Sequence, residues 1–250
     1  GSLSFARIVT ALAGYGRGFT EDAEVRLKGS DEGIRLDTVS ATSVSLKAGP
    51  RLGFLTYVLD VLKVFVPVFA LRHLYPDQPY YLITATAGVV GHIWPIYHGF
   101  KGGGGISAIY GGVFAFDWPG VFVAALGGML LGLFVLRDFY LIYYCGLLLL
   151  IPWLWFHTGS VPVLAYSVAV NILFFLASYS AAKRVYALRR TDPRWGDPAQ
   201  AWQFSAMGRG ILKVLARFGC GRTGAAPRAG PKGRRPPRRP ASAGRCAWRR

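Results

Sequence analysis

Six apolar runs alternate with short polar or turn-rich stretches along most of the chain. They span residues 54–74, 80–97, 106–116, 121–136, 139–156 and 161–182. A helix needs about 20 residues to cross the roughly 30 Å hydrocarbon core of a bilayer, and backbone groups in lipid must hydrogen-bond within their own segment. The pattern therefore predicts an all-α fold, namely a polytopic membrane helix bundle.

The two ends of the chain differ from this apolar middle. Residues 1–14 contain an apolar stretch too short to cross a bilayer, which predicts a partial span at the N-terminus and a total of about six to seven spans. Residues 17–50 are polar and are predicted to form a loop. We therefore expect a membrane domain over residues 1–190 and a separate tail over residues 191–250.

Composition and charge support this division. Hydrophobic residues make up 52% of the chain and charged residues only 16%, whereas a soluble domain usually carries about 25% charged residues. The net charge of +17 arises largely from the tail, because residues 209–250 contain many Lys and Arg residues and no acid. We expect this tail to be disordered, cytoplasmic and bound to anionic membrane lipid, and we expect no nucleic-acid partner.

The charges between the apolar runs predict an orientation. If each run crosses the membrane once, most of the positive loop residues fall on the same side of it. These residues are Lys47, Arg51, Lys101, Arg137, Lys183 and Arg184. Positive loop residues favour the cytoplasmic side, so this face is predicted to be cytoplasmic. The cysteines Cys145, Cys220 and Cys246 lack the close spacing of a zinc site or of a disulfide framework.

One segment between two runs has the composition of an anion-binding site. His92 lies near the end of the preceding run, Lys101 follows the run, and four glycines come next: Gly102, Gly103, Gly104 and Gly105. Glycine lets the backbone approach a ligand closely, and successive backbone N–H groups beside a helix N-terminus attract phosphate. The segment therefore predicts a phosphate-binding cradle at the membrane surface. A flexible linker between two helices is the alternative.

The same segment resembles the second motif of the PlsY family of acyl-phosphate glycerol-3-phosphate acyltransferases, which has the pattern GHxFPxFxxFKGGKGVAT. Three shorter stretches fit in order: residues 60–63 are similar to the family's DxLKG, residues 41–44 to its ATNV, and residues 1–5 to its GSIPF. The resemblance covers about residues 1–190. It implies that the chain begins within the first helix of the family.

The chain departs from the family pattern at several positions. Gly104 stands where the second motif has lysine, and Ala108 stands where it has threonine. Ser43 replaces the asparagine of ATNV, and Val64 replaces the glycine of DxLKG. The third motif, a histidine, an asparagine and basic residues, is reduced to its basic residues. Several side chains that the family uses on phosphate and acyl donor are thus missing.

The resemblance implies transfer of an acyl chain from acyl phosphate to the sn-1 hydroxyl of glycerol 3-phosphate. The product is lysophosphatidic acid, and the family needs neither a metal nor another cofactor. The implied location is the bacterial inner (plasma) membrane, with the active face cytoplasmic. No oligomeric state follows from the sequence.

The implied roles fall into three groups. His92 and Lys101 are the expected catalytic residues, and Asp60 and Lys63 are expected to form a polar pair at the membrane boundary. The expected phosphate-binding residues are Gly102, Gly103, Gly104, Gly105, Ser43, Lys47, Lys183 and Arg184.

Simpler interpretations of these residues remain open. His92 is also suited to capping a helix end, and Asp60 and Lys63 to an ordinary intrahelical pair. Lys101, Lys183 and Arg184 are also typical of the charges that anchor helix ends at the cytoplasmic surface. For the whole chain, the alternatives are a catalytically degenerate membrane protein that keeps the fold and binds lipid or a partner, and a small transporter.

Overall fold

The computed structural model describes residues 1–16, 19, 23–26, 33–36, 38–136, 138 and 140–192. The predicted basic tail from residue 193 onward, Arg137, Cys220 and Cys246 lie outside these residues. The elements in chain order are α1 (Phe5–Leu12), β1 (Ala23–Arg26), β2 (Gly33–Leu36), α2 (Ala41–Ala48), α3 (Pro50–Leu74), α4 (Tyr80–Ile93), α5 (Ile106–Phe116), α6 (Trp118–Phe122), α7 (Gly128–Leu130), α8 (Leu141–Thr158) and α9 (Val161–Thr191). Two π-helical segments, Val123–Gly127 and Leu131–Val135, flank α7.

The predicted helix bundle is confirmed, but the lengths of its helices differ from those of the apolar runs. Within the described part of the chain, α3, α8 and α9 are long and apolar enough to cross a membrane. The remaining apolar helices are shorter: α4 has 14 residues and α5 has 11. The run at 80–97 ends as a helix at Ile93 because Pro95 disfavours helical backbone at the residue before it.

The prediction of a loop over residues 17–50 was wrong in part. Strands β1 and β2 pair antiparallel, with Val25 opposite Ile34. Helix α2 follows, and a capping box closes its first turn. The Ser40 side chain accepts from the backbone N–H of Ser43, and the Ser43 side chain accepts from the backbone N–H of Ser40. Gly49, with φ of 97°, then separates α2 from α3, a backbone conformation that glycine adopts without strain.

The apolar core lies among α3, α4, α5, α8 and α9. Its fully buried members include Val64, Val68, Ala85, Val89, Ala108, Ile109, Val113, Leu147, Leu150, Leu154 and Val170. Large apolar side chains also cover the outside of the bundle, among them Phe54, Val66, Phe134, Leu148 and Phe175. Such an apolar exterior is unfavourable in water and suits contact with lipid.

Helices α3 and α5 approach each other closely at Gly111. A Cβ atom at this position would overlap the backbone carbonyl of Val61 on α3. Small residues allow membrane helices to pack backbone against backbone. This close packing increases van der Waals contact, which matters in a membrane because the hydrophobic effect does not drive helices together there. This contact sets the distance between α5 and the face of α3 that carries Asp60.

A charged contact ties the start of α8 to the end of α9. The Arg189 guanidinium donates to both carboxylate oxygens of Asp138, one of them at 2.8 Å, and the backbone N–H of Tyr140 donates to the same carboxylate at 2.8 Å. Burial raises the pKa of the Asp138 carboxyl, but the hydrogen bonds from Arg189 and Tyr140 outweigh this effect and hold that pKa below its usual 3.8. The ionised form of Asp138 therefore stabilises the folded protein.

We expect Asp138→Asn to lower the thermal unfolding midpoint of the detergent-solubilised protein at neutral pH. Because the pKa of Asp138 is lower in the folded than in the unfolded state, the stabilisation is present above the unfolded pKa and is lost as the pH falls through the folded pKa. The difference between wild type and variant should therefore shrink below pH 3.8. Asp77→Asn, on an exposed turn, is the control; a difference for Asp138→Asn that stays constant into acid would contradict the ion pair.

Candidate functional site

Three ionisable side chains meet inside the bundle where α3 faces the end of α4. Lys63 Nζ donates to Asp60 Oδ1 at 2.6 Å, and His92 Nδ1 lies 3.7 Å from the same oxygen. The three side chains are only 3% (Asp60), 6% (Lys63) and 5% (His92) exposed. Burying a charge is costly unless it is paired, so ionisable groups within membrane helices are functional candidates.

The sequence spacing explains the pair but not the histidine. Asp60 and Lys63 stand three residues apart on α3 and therefore project from neighbouring positions on one face. The predicted polar pair is thus present, and it is more deeply buried than an ordinary surface pair. His92 comes from α4, the next helix along the chain, and joins the pair only through helix packing.

The glycine-rich loop lies against His92. The backbone N–H of Gly103 donates to the His92 carbonyl at 3.1 Å, and the Gly102 carbonyl accepts from the Val39 N–H at 2.9 Å. A Cβ atom on Gly102 would collide with the His92 carbonyl, and one on Gly103 with the His92 imidazole. The first two glycines are therefore required for this close approach.

The four glycines are not equivalent. Gly105 has φ of 92° and forms the N-cap of α5, whereas a Cβ atom at Gly104 would have no described atom within 4 Å. The Gly103 N–H is already bonded to His92 in this conformation. In this conformation the Gly103 N–H is therefore not available to an anion, and the phosphate cradle over residues 102–105 stays a prediction.

A small polar cavity opens between the ion pair and this loop. In this conformation it has room for about one water molecule. Its lining residues are Leu3, Ser4, Val39, Asp60, Lys63, His92, Pro95, Gly102 and Gly103. The cavity thus brings together a buried ammonium group, an imidazole and glycine backbone, which are groups of the kind that bind phosphate.

The N-terminal segment closes the cavity, and sequence reasoning missed its role. Lys63 Nζ also donates to the Leu3 carbonyl at 2.9 Å. Arg7 on α1 donates to Ser4 Oγ at 3.3 Å and to the Lys101 carbonyl at 3.0 Å. The resemblance of residues 1–5 to a family motif was the one sequence signal for Ser4, and no sequence signal singled out Arg7 or Val39.

Lys101 lies beside the cavity and not in its wall. Its side chain is exposed, while its backbone carbonyl is held by Arg7. Lys101 directly precedes Gly102, which lines the cavity. An exposed and flexible ammonium group at this position is suited to meeting an anionic ligand at the cavity mouth.

The other four predicted phosphate ligands make different contacts. The Ser43 hydroxyl accepts from the Ser40 N–H at 2.9 Å as part of the α2 cap, and Lys47 Nζ donates to the Phe19 carbonyl at 2.5 Å. Lys183 is exposed and Arg184 half-buried on α9. None of Ser43, Lys47, Lys183 and Arg184 is among the described residues that line the cavity.

Comparison with known proteins shows the family of the chain. Residues 26–188 match the family model described as glycerol-3-phosphate acyltransferase. The chain belongs to this family. The match includes Asp60, Lys63, His92 and the glycine-rich loop, and it confirms the resemblance found in the sequence.

Individual members of the glycerol-3-phosphate acyltransferase family agree with this assignment. The chain is 34% identical over 131 residues to the glycerol-3-phosphate acyltransferase of Desulfotalea psychrophila, covering 51% of this chain and 59% of the relative. It is 38% identical over 94 residues to glycerol-3-phosphate acyltransferase 2 of Thermotoga maritima, covering 37% of this chain and 48% of the relative. The chain therefore spans only about half the length of these curated relatives.

Two solved structures share the fold. One is the glycerol 3-phosphate form of PlsY (YgiH), an integral membrane glycerol 3-phosphate acyltransferase, with a TM-score of 0.61, 25% identity, and coverage of 75% of this chain and 87% of that chain. The other is its lysophosphatidic acid form, with a TM-score of 0.62 and 24% identity. Together with the apolar helices, this likeness makes the chain a multi-pass membrane protein of the family.

We expect Gly103→Ala to lower the thermal unfolding midpoint by about 3–10 °C, because its methyl group must displace the buried His92 imidazole. Gly104→Ala is the matched control, since a methyl group there meets no described atom within 4 Å. Both variants would be measured by intrinsic fluorescence in the same detergent. Equal midpoints for the two variants would show that the close contact between loop and histidine is absent.

Proposed function

We propose that this protein transfers an acyl chain from acyl phosphate to the sn-1 hydroxyl of glycerol 3-phosphate. The products are lysophosphatidic acid and inorganic phosphate. The observation that carries the proposal is the buried cluster of Asp60, Lys63 and His92 against the glycine-rich loop. It is supported by the family match and by the solved relative that is described as a glycerol 3-phosphate form.

The reaction exchanges one carbon–oxygen bond for another. The sn-1 hydroxyl oxygen attacks the acyl carbonyl carbon, an ester bond forms, and the bond from that carbon to the phosphate oxygen breaks. Phosphate leaves with the electron pair of that bond and takes up the proton that the hydroxyl loses, which gives inorganic phosphate. Both substrates carry phosphate, so positioning and charge neutralisation are the main tasks of the protein.

The described contacts support a division of these tasks among particular groups. Lys63 and His92 reach the cavity and supply polar groups for phosphate, while Asp60 holds Lys63 in place. Lys101 stands at the mouth and would meet the second phosphate on entry. Gly102 and Gly103 allow the backbone to lie close to the ligand. Because none of Ser43, Lys47, Lys183 and Arg184 is among the residues that line the cavity, we rank them behind these groups as phosphate ligands.

We further propose that the reaction takes place at the cytoplasmic face of the bacterial inner membrane. The cavity lies where α3, α4 and the glycine-rich loop meet, on the side to which the positive loop residues assign the cytoplasm. The acyl chain of the donor would lie in the bilayer beside the apolar exterior of the bundle. Membrane lipid is thus a proposed partner of the protein, because it would surround the acyl chain of the donor.

A catalytically degenerate protein is the second candidate. The specific observation that favours it is Gly104, which stands where the family pattern has lysine. Such a protein would keep the cavity and bind a phosphorylated ligand or lipid without turning it over. The two candidates differ in whether product forms, and both predict binding at the same cavity.

We expect the protein in phospholipid vesicles to form lysophosphatidic acid from palmitoyl phosphate and radiolabelled glycerol 3-phosphate. Lys101→Ala should lower kcat/KM by about 100-fold, because it removes a charge that neutralises phosphate in the transition state. Arg51→Ala, which removes an exposed cation at the start of α3, is the control and should keep its activity. Thin-layer separation of the labelled product measures all three.

Two results of this assay would count against us. An absence of product above background from the wild type would overturn the proposed activity and favour the degenerate protein. Full activity of Lys101→Ala beside an active wild type would leave the activity standing and overturn the role of Lys101.

We expect Gly104→Lys to raise kcat/KM about tenfold, because it adds a cation to a loop that we propose binds phosphate. The position accepts a side chain, since no described atom lies within 4 Å of a Cβ there. Gly104→Met is the matched control of similar length without charge. Equal activities of the Lys and Met variants would contradict phosphate binding at this part of the loop.

A further inference from the structure

Polar contacts and packing together hold the segment that contains α1 beside the cavity. Lys63 Nζ donates to the Leu3 carbonyl at 2.9 Å, and Arg7 donates to Ser4 Oγ at 3.3 Å. The inner face of α1 is also packed, because Ala6 and Val9 are buried, Ala6 with Val39 and Val44 in one small apolar cluster. We therefore expect this packing to keep α1 in place in a variant that lacks one of these polar contacts.

Arg7 also donates a hydrogen bond to the glycine-rich loop. Its Nη2 donates at 3.0 Å to the backbone carbonyl of Lys101, which lies 94 residues away in the sequence. Lys101 begins the glycine-rich loop. The contact therefore joins the N-terminal helix to the first residue of the loop that borders the cavity.

Three successive residues of the loop are held by three different parts of the chain. The Lys101 carbonyl accepts from Arg7, the Gly102 carbonyl accepts from Val39, and the Gly103 N–H donates to His92. Glycine has the greatest backbone freedom of any residue, so a run of glycines holds one conformation only where outside contacts fix it. The contacts from Val39 and His92 are made by backbone groups, whereas Arg7 uses its side chain. A substitution of Arg7 can therefore remove its contact.

We propose that Arg7 is a positioning residue for Lys101. By holding the Lys101 carbonyl, Arg7 fixes the backbone from which the Lys101 side chain extends toward phosphate at the cavity mouth. This inference rests on the proposed function, since Lys101 is the proposed phosphate-binding group through which Arg7 acts. Arg7 itself is assigned no contact with substrate.

The guanidinium group suits this task better than an ammonium group. Its planar fork directs Nη1 to Ser4 and Nη2 to Lys101 at the same time. Lysine at this position would keep the charge and could donate to the Lys101 carbonyl, but without the fixed fork geometry. We therefore expect Arg7→Lys to retain part of the effect and Arg7→Met, which keeps the apolar stem, to lose it.

The test is a double-mutant cycle on the protein in phospholipid vesicles, with kcat and KM measured for glycerol 3-phosphate. We expect Arg7→Met to lower kcat/KM about tenfold and Arg7→Lys to recover much of the loss. The double variant Arg7→Met with Lys101→Ala should be no worse than Lys101→Ala alone, because residues that act through one another are not additive. Additive losses would overturn the inference and leave Arg7 with a merely structural role.

Hydrogen–deuterium exchange supplies a readout that does not depend on activity. In Arg7→Met, amides of the loop at residues 101–105 should exchange faster than in the wild type, while amides in the middle of α9 should be unchanged. Unchanged loop exchange would overturn the inference. If the wild type forms no product, the proposed function fails, and loop exchange alone then decides whether Arg7 holds the loop.

Discussion

The buried pair of Asp60 and Lys63 is the interaction on which the site depends. Two charges taken out of water are tolerated only when each meets the other and when further hydrogen bonds satisfy their remaining donors and acceptors. Lys63 does this by donating to Asp60 and to the Leu3 carbonyl, and His92 approaches the same carboxylate. The need to satisfy one buried pair thus brings α1, α3 and α4 together around one cavity.

The glycine-rich loop completes this arrangement because its backbone can lie where side chains cannot. Gly102 and Gly103 press against His92, and the close crossing at Gly111 sets the position of α5 beside α3. The loop contributes little apolar contact of its own and is held by hydrogen bonds from distant parts of the chain. The bundle therefore carries the buried charged groups, and the loop carries Lys101 and the backbone that lies against His92.

Much of this site was predictable because its members are close in sequence or share a recognisable spacing. Asp60 and Lys63 lie one helical turn apart, and His92 precedes the glycines by ten residues with a proline between them. Arg7 and Val39 were not predictable, because their contacts to Lys101 and Gly102 join residues far apart along the chain. Ser43 was predicted as a phosphate ligand, yet its hydroxyl closes the first turn of α2, a local capping role that Ser commonly takes.

The sequence by itself determined that the chain forms a membrane helix bundle of this acyltransferase family, because apolar runs and the spacing of motif residues are local properties of the chain. It also located the glycine-rich loop. Only the tertiary structure decided which glycines contact His92, which cation reaches the cavity, and that the residues before α1 form one of its walls. These features arise from contacts between helices, and such contacts depend on how whole faces pack and on which buried charges must be satisfied, neither of which is written in any single segment.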